Sequence, residues 1–278
     1  AALLDQFAGL SAWPLVLDTR DPDEIVETVV HLAQGFGAIQ LEDIESPVCF
    51  EVERRLVERL EMPVLHDDQH GTAVATLAAA TNAMRRAGLE LASAHVGVIG
   101  LGAAGTAIAR MLGAVTAKPV LGFDPGAEAI ERLRALGGEP AKDVAELMAR
   151  VDLVVAVTGR AGLISPAWVR RGQGILALTN PEPEIRPEDA LAAGAAFAAD
   201  GRSVNNLLGF PGILRAAIDV RARRIDYSMY VAAAKAIAER DTKAASFIAE
   251  CQHHGTSAAE IETQEKKGYD TGLRVKHP

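Results

Sequence analysis

The chain has 278 residues, of which 49% are hydrophobic and 23% are charged, and its formal net charge is −9. This size allows one or two packed domains, and the negative charge gives no electrostatic basis for binding nucleic acid or an anionic membrane surface. The two cysteines, Cys49 and Cys251, match no metal-site or redox spacing, which indicates reduced thiols and a cytoplasmic protein. The longest stretch without charged residues, 91–109, contains four glycines and a histidine, so we predict no membrane span.

Strands and helices alternate from the beginning of the chain. The apolar run at 13–18 is typical of a buried strand, and Asp21-Pro22 then forms a helix N-cap followed by proline at the first helical position. Two further apolar runs, 36–41 and 62–65, flank a helical pattern at 47–61. This alternation predicts a parallel sheet with helices packed against it.

A second series of strands and helices follows a helix that begins near Gly71. Its strands are predicted at 95–99, 119–123, 153–157, 175–178 and 195–199. Beyond this series the chain is predicted to be helical at 213–220 and 229–248. We therefore predict an α/β fold in which a Rossmann-type parallel-sheet nucleotide domain is joined to a second α/β domain completed by C-terminal helices.

A glycine pattern, Gly100-x-Gly102-x-x-Gly105, follows the predicted strand at 95–99 and opens a helix. Glycines in this context allow a tight turn and let a pyrophosphate approach the backbone N–H groups at a helix N-terminus. Asp124 ends the next strand, where a carboxylate accepts hydrogen bonds from ribose hydroxyls and repels a 2′-phosphate. No Arg or Lys follows at 125–127, so the sequence favours NAD over NADP. A turn packed without ligand is the alternative.

Two pairs of acidic residues follow neighbouring strands. Glu42 and Asp43 come after the run at 36–41, and Asp67 and Asp68 come shortly after the run at 62–65. The carboxyl ends of parallel strands meet at one sheet edge, and clustered carboxylates suit Mg²⁺ or Mn²⁺. Helix capping by Asp43 and Asp68 is the alternative, and it is the stronger reading for either residue alone. As a set, the acids favour a metal site.

Asparagines follow two later strands. Asn180 offers a donor and an acceptor to a substrate or to the nicotinamide carboxamide, and Asn205 and Asn206 form a second polar pair before a helix. For each stretch in isolation, a turn-forming asparagine is the simpler explanation. The predicted ranges are 1–69 with 206–250 for a catalytic and metal-binding domain, 70–205 for an NAD-binding domain, and 251–278 for a loosely ordered tail.

Together these motifs resemble the malic enzymes, specifically the smaller bacterial type. The stretches that carry the resemblance are Asp18-Thr19, 22–26, Leu41-Glu42-Asp43-Ile44, 66–73, 100–105, 180–185 and 204–213. The resemblance covers roughly residues 1–240 in unbroken order. It implies oxidative decarboxylation of L-malate to pyruvate and CO₂, with NAD(P) reduced and Mg²⁺ or Mn²⁺ bound. It also implies a homodimer if the family's N-terminal segment is present.

The resemblance assigns roles to particular side chains. Glu42, Asp43 and Asp68 would hold the metal, and Asp67 would support the catalytic base. The residues that would bind the substrate are Asn180, Asn205 and Asn206. The residues that would contact the cofactor are Gly100, Gly102, Ala103, Ala104, Gly105, Asp124, Thr158 and Asn180.

The chain departs from the family pattern in its proton-transfer groups. The family uses a lysine as general base and a tyrosine as general acid, both near the N-terminus. Here the first lysine is Lys118 and the first tyrosine is Tyr227, and the family's lysine would fall at or just before Ala1. General acid–base groups contribute ~10²–10⁴-fold each, so we expect impaired turnover. The loop around 201–206 is also shorter than usual for the family.

Three hypotheses therefore remain open from the sequence. The first is a malic enzyme that lacks its N-terminal segment. The second is a non-catalytic NAD-binding relative or partner subunit. The third is a different NAD-linked dehydrogenase, such as an amino-acid dehydrogenase. The acids Glu42, Asp43 and Asp68 argue against the third, because such enzymes need no divalent metal.

Overall fold

The computed structural model describes residues 1–204 and 206–253, with side chains described up to 240 except at 208. The helices are α1 Ala2–Ala8, α2 Pro22–Leu32, α3 Val48–Arg59, α4 Thr72–Arg86, α5 Ala103–Gly113, α6 Ala127–Ala135, α7 Val144–Arg150, α8 Pro187–Ala192, α9 Phe210–Asp219 and α10 Tyr227–His253. The strands are β1 Ile39–Leu41, β2 Val64–His66, β3 Val96–Ile99, β4 Leu121–Phe123, β5 Glu139–Pro140, β6 Leu153–Ala156, β7 Gly174–Ala177 and β8 Phe197–Asp200.

Six strands form a parallel sheet in the order β5-β4-β3-β6-β7-β8. The first strand of the series, β3, lies in the middle, and the chain winds outward first to one side and then to the other. This is the doubly wound order of dinucleotide-binding folds, in which the ligand crevice opens at the carboxyl ends of the two central strands. The predicted α/β fold with a Rossmann-type sheet is confirmed.

The central strands β3, β6 and β7 are buried, and their successive side chains point to opposite faces of the sheet, each of which is covered. On β6, Leu153 and Val155 belong to one apolar cluster, whereas Val154 and Ala156 belong to the other. These central strands therefore consist of uninterrupted apolar residues rather than alternating apolar and polar ones. This pattern, visible in the sequence, is what made the sheet predictable.

A second, two-stranded parallel sheet pairs β1 with β2. It has its own small apolar core, in which Ile25 and Val26 of α2 and Val52 and Leu56 of α3 are buried. The register places Leu41 opposite His66, so both strands end at the same level. The residues that follow the two strands are therefore neighbours.

The C-terminal helices pack on α4. Tyr230 and Ala234 of α10 and Ile213 of α9 join the same apolar cluster as Val74 and Leu77 of α4. The small side chains of α4 let these helices approach closely. Residues 251–253 of the predicted tail belong to α10, and the rest of it, 254–278, lies outside the described residues, as does Asn205. The domain boundaries stay a prediction.

The predicted strand at 13–18 is wrong. The segment has no regular structure, and the side chains of Trp13 and Val16 are 74% and 95% exposed. A strand needs a hydrogen-bonding neighbour, and in the described part of the chain β1 and β2 pair only with each other. No helix in that part is long and apolar enough to cross a membrane.

Candidate active site

The glycine turn after β3 depends on the absence of side chains. Gly100 has a φ of +88°, and a Cβ there would lie 2.7 Å from the Val157 carbonyl oxygen. A Cβ on Gly105 would lie 1.8 Å from the Gly100 carbonyl oxygen, so the first turn of α5 packs directly on the turn that precedes it. Beside Gly102 the space is open. This leaves the N-terminus of α5 accessible to an anion.

Asp124 is fixed at the end of β4 by two backbone hydrogen bonds. The Leu101 N–H donates to one of its carboxylate oxygens at 2.8 Å, and the Gly126 N–H donates to the other at 2.7 Å. The carboxylate therefore lies against the glycine turn, where the adenosine ribose binds in this fold. Its contact with a ribose stays a prediction.

A cavity of about 360 Å³ opens beside this turn, at the carboxyl ends of β6, β7 and β8. This volume is within the usual range for small-molecule sites. Of the predicted site residues, Ala104, Asn180 and Asn206 line it, and so does Thr72 of α4. Gly201 leaves room for the Asn180 amide, because a Cβ there would lie 2.6 Å from Asn180 Nδ2.

Thr158 does not line this cavity, although its neighbours Val157 and Gly159 do. Its backbone N–H and its hydroxyl both donate to the Glu184 carboxylate, at 2.7 and 2.9 Å. The Thr158 hydroxyl proton is therefore already engaged in a hydrogen bond within the protein. The assignment of Thr158 as a cofactor contact stays a prediction, and any such contact would use its oxygen as an acceptor.

The turn formed by residues Asp67–Gly71, here named the acidic turn, is linked to the cavity through the side chain of Asp67. Asn206 Nδ2 donates to Asp67 Oδ2 at 2.5 Å, and Asp67 is completely buried. Residues Asp67–Gly71 form a π-helical turn, and a Cβ on Gly71 would lie 1.9 Å from Asp67 Oδ1. Burial, together with the charges of Glu42 and Asp68, raises the pKa of Asp67 to about 7, although the Asn206 hydrogen bond opposes the shift.

Glu42, Asp43 and Asp68 are neighbours at the ends of β1 and β2. The Asp43 N–H donates to Asp68 Oδ2 at 2.9 Å, and Asp43 has a φ of +58°. The Glu42 pKa is raised, first by burial and then by the charges of Asp68 and Asp43. Within the described ranges, however, no three acidic, histidine or cysteine side chains are placed to hold one metal ion. Metal binding therefore stays a proposal.

The capping alternative for these acids is wrong. Helix α3 begins after Pro47 and α4 begins after Gly71, and neither helix has a side-chain cap. Asp68 accepts the Asp43 N–H instead of a helical one. The Asp68 carboxylate and the Asp43 backbone therefore join the two strand ends, which is a different structural role from capping.

Glu53 of α3 contacts two side chains of the acidic turn. One of its oxygens accepts from Gln69 Nε2 at 3.1 Å, and the other lies 2.8 Å from His70 Nε2. The His70 ring also stacks on Tyr230 of α10, with centroids 4.7 Å apart. One carboxylate thus connects α3, the turn that carries Asp67 and Asp68, and the C-terminal helix.

Glu53→Ala is expected to lower the free energy of unfolding by about 1–3 kcal/mol, because it leaves the Gln69 and His70 donors buried without an acceptor. The matched control is Glu58→Ala on the same helix. Glu58 is exposed and pairs with Arg54 one turn away, so its loss is expected to cost about 0.5 kcal/mol or less. Urea unfolding measures both changes. Equal losses in the two variants would contradict this role for Glu53.

Sequence reasoning missed Glu53, Glu184 and Arg132 as parts of the site. Arg132 Nη2 donates to the Leu101 carbonyl at 3.3 Å, and its guanidinium lies 5.0 Å from the centre of the Phe50 ring. Glu184 belongs to a stretch used for the family resemblance, but the sequence does not tell whether its side chain points inward. Arg132 carries no sequence signal, because it is one of several charged residues on an amphipathic helix.

The fold and the site together define a dinucleotide-binding α/β protein of the dehydrogenase class, with acidic strand ends beside the cofactor crevice. Residues 64–160 match the family model described as the D-isomer specific 2-hydroxyacid dehydrogenase, NAD binding domain. The NAD-dependent malic enzyme of Thermotoga maritima superposes with a TM-score of 0.79 at 36% identity, over 85% of this chain and 68% of that one. The chain belongs to the malic enzyme family.

Two curated relatives extend this comparison. NAD-dependent malic enzyme 1 of Bacillus subtilis is 59% identical over 238 residues, which are 86% of this chain and 54% of that protein. The NADP-dependent malic enzyme of Halomonas elongata is 38% identical over 254 residues, 84% of this chain and 60% of that protein. The chain thus spans little more than half the length of these relatives. Their names favour the malic enzyme hypothesis over the other two.

Proposed function

We propose that this chain takes part in the oxidative decarboxylation of L-malate to pyruvate and CO₂ with reduction of NAD. The observation that carries the proposal is the hydrogen bond between Asn206 and Asp67, because it joins the acidic turn directly to the cavity beside the glycine turn. A substrate in that cavity would reach both the cofactor and the carboxylates. The similarity to enzymes named as malic enzymes supports the choice of substrate.

The reaction needs three events in one cavity. NAD⁺ held at the glycine turn and by Asp124 would supply a hydride acceptor for the C2 hydrogen of malate, and a base would take the proton of the C2 hydroxyl. The resulting β-keto acid then loses CO₂, and the enolate that remains takes up a proton to give pyruvate. One malate and one NAD⁺ thus give one pyruvate, one CO₂ and one NADH.

The asparagines would orient malate for this sequence. Asn180 lines the cavity, and its amide can donate to a malate carboxylate. Asn206 uses one N–H on Asp67, and the second N–H of the same amide group can donate to substrate. Asn205 lies outside the described residues, so its assignment rests on the family resemblance alone.

Asp67 would act on the base rather than on the substrate. Its Oδ1 is buried and has no hydrogen-bond partner among the residues with described side chains, so it can accept a proton from a neighbouring base. The residues that line the cavity in the described ranges include no lysine and no tyrosine. The family's proton-transfer pair would come from outside this set, and the expectation of slow turnover stays a prediction.

Glu42, Asp43 and Asp68 fit a divalent cation by their chemistry. Their ligating atoms are oxygens. Burial, followed by the charges of Asp68 and Asp43, raises the Glu42 pKa, and a bound cation would offset the repulsion among the three acids. Mg²⁺ or Mn²⁺ bound there would polarise the C2 oxygen of malate. In the described structure Asp68 is engaged with the Asp43 N–H, so ligation would require these side chains to turn toward one point.

The choice of NAD over NADP rests on Asp124, because a carboxylate at the end of β4, against the glycine turn, would repel a 2′-phosphate. We also propose that the protein works as a homodimer in the reducing cytoplasm. The buried free thiol of Cys49 fits a reducing compartment, and the dimer is the family's expected assembly. Light scattering of the purified protein measures its molar mass in solution and thereby tests the homodimer.

Nicotinamide fluorescence and product analysis test the proposed function. NADH is expected to bind more tightly than NADPH, and prolonged incubation with L-malate, NAD and Mn²⁺ is expected to yield one pyruvate per NADH. D-malate serves as the control. NADH formation without pyruvate would contradict decarboxylation. Bound NADH with no malate-dependent turnover over hours would reject the reaction for this chain.

A further inference from the structure

Glu184 is a completely buried carboxylate that no cationic side chain neutralises in the described part of the chain. Its partners are instead four donors from two threonines. Thr158 donates with its N–H and its hydroxyl, at 2.7 and 2.9 Å. Thr179 donates with its N–H at 3.3 Å and with its hydroxyl at 2.5 Å.

The two threonines follow neighbouring strands of the central sheet. Thr158 comes after β6, and Thr179 comes after β7 and directly precedes Asn180. The Gly159 N–H donates to the Thr179 hydroxyl oxygen at 2.9 Å, which adds a direct bond between the two loops. Both loops line the cavity beside the glycine turn, so the network around Glu184 forms the support of one cavity wall.

A dinucleotide in a doubly wound sheet lies across the crevice between the two halves. Its adenosine half belongs to the side of β4, where Asp124 lies against the glycine turn. Its nicotinamide half would therefore face the ends of β6 and β7. The loops that Glu184 connects are those that would contact the nicotinamide end.

Burying a carboxylate without a countercharge is costly, and an apolar side chain of similar size would fill the same space without that cost. The four directed hydrogen bonds fix the position of both loops, which an apolar side chain would not do. We propose that Glu184 is a positioning residue that fixes the nicotinamide end of the NAD site. This inference rests on the proposed NAD-dependent function.

Binding of NADH and of ADP-ribose separates positioning from general stability, because ADP-ribose lacks the nicotinamide ring. Glu184→Ala is expected to weaken NADH binding about tenfold or more, since it leaves buried donors unpaired, and to change ADP-ribose binding less than about twofold. NADH binding by Glu184→Gln is expected to be intermediate between that of the parent and that of Glu184→Ala. Its amide oxygen keeps the three shorter hydrogen bonds, and its NH₂ group faces only the Thr179 N–H. Glu182→Gln is the matched control, since Glu182 is exposed and pairs with Arg186.

Thr179→Val keeps the side-chain volume and removes the hydroxyl. It therefore provides a second test of the Glu184 network if Glu184→Ala fails to fold. It is expected to weaken NADH binding while leaving ADP-ribose binding unchanged. If these variants weakened NADH binding and ADP-ribose binding equally, Glu184 would have only a structural role and the proposal would be overturned. Unchanged NADH binding would overturn the proposal outright. If the parent protein bound neither ligand, the NAD-dependent function itself would be wrong and the positioning role would be rejected with it.

Discussion

Asp68→Asn is expected to weaken Mn²⁺ binding by more than about tenfold. Changes in residues that merely support a metal ligand cost ~10–100-fold, so loss of a ligand's charge should cost at least as much. Asparagine can still accept the Asp43 N–H through its amide oxygen, so the connection between the two strand ends is retained. The variant therefore removes charge with little change of shape. Electron paramagnetic resonance of free Mn²⁺ measures the affinity directly.

The control for this experiment is Glu45→Gln. Glu45 follows β1, as Glu42 and Asp43 do, but its side chain is 80% exposed and lies 4.0 Å from Arg20. It carries the same charge without belonging to the cluster of Glu42, Asp43 and Asp68. We expect its Mn²⁺ affinity to match the parent. Parent-like affinity in Asp68→Asn would show that these acids do not form the cation site.

Gly105→Ala is expected to abolish NADH and ADP-ribose binding together and to destabilise the protein by about 3 kcal/mol or more. The added methyl group would lie 1.8 Å from the Gly100 carbonyl oxygen, a backbone atom that cannot move without opening the glycine turn. Thermal unfolding and fluorescence titration measure the two effects. This joint loss contrasts with the selective loss expected for Glu184 variants.

Gly102→Ala is the matched comparison. A Cβ at Gly102 meets nothing within 4 Å, so stability should be unchanged. The methyl group would instead occupy the space through which a pyrophosphate approaches the N-terminus of α5, and both ligands should bind more weakly. Unchanged binding in Gly102→Ala would contradict the assignment of this turn as the phosphate site.

The nucleotide-binding half of the fold could be predicted because its signals are local. Most strands of the central sheet are short apolar runs, and glycines mark the turn after β3. The exposed edge strand β5, Glu139–Pro140, has no such signal and was not predicted. The N-terminal segment at 13–18 has an equally apolar sequence, yet it is exposed. Whether an apolar run becomes a strand depends on a pairing neighbour and a covering layer, and neither is encoded within the run itself.

The site could be predicted only as a set of candidate residues. Asp67 and Asp68 are adjacent and chemically equivalent in the sequence, but Asp67 is buried against Asn206 whereas Asp68 accepts the Asp43 N–H. Their different directions arise from the π-helical turn, which no local sequence signal predicts. The inward position of Glu184 likewise depends on two threonines contributed by other strand ends.

The most direct measurement is the effect of bound Mn²⁺ on the proton NMR relaxation of bound NADH. In the proposed site, a cation held by Glu42, Asp43 and Asp68 would lie nearer the nicotinamide half of the cofactor than the adenine half, which would lie on the side of Asp124. Mn²⁺ should therefore broaden the nicotinamide ring protons far more than the adenine protons, and Asp68→Asn should remove the difference. Stronger broadening of the adenine protons, or none in either ring while both ligands are bound, would contradict this arrangement.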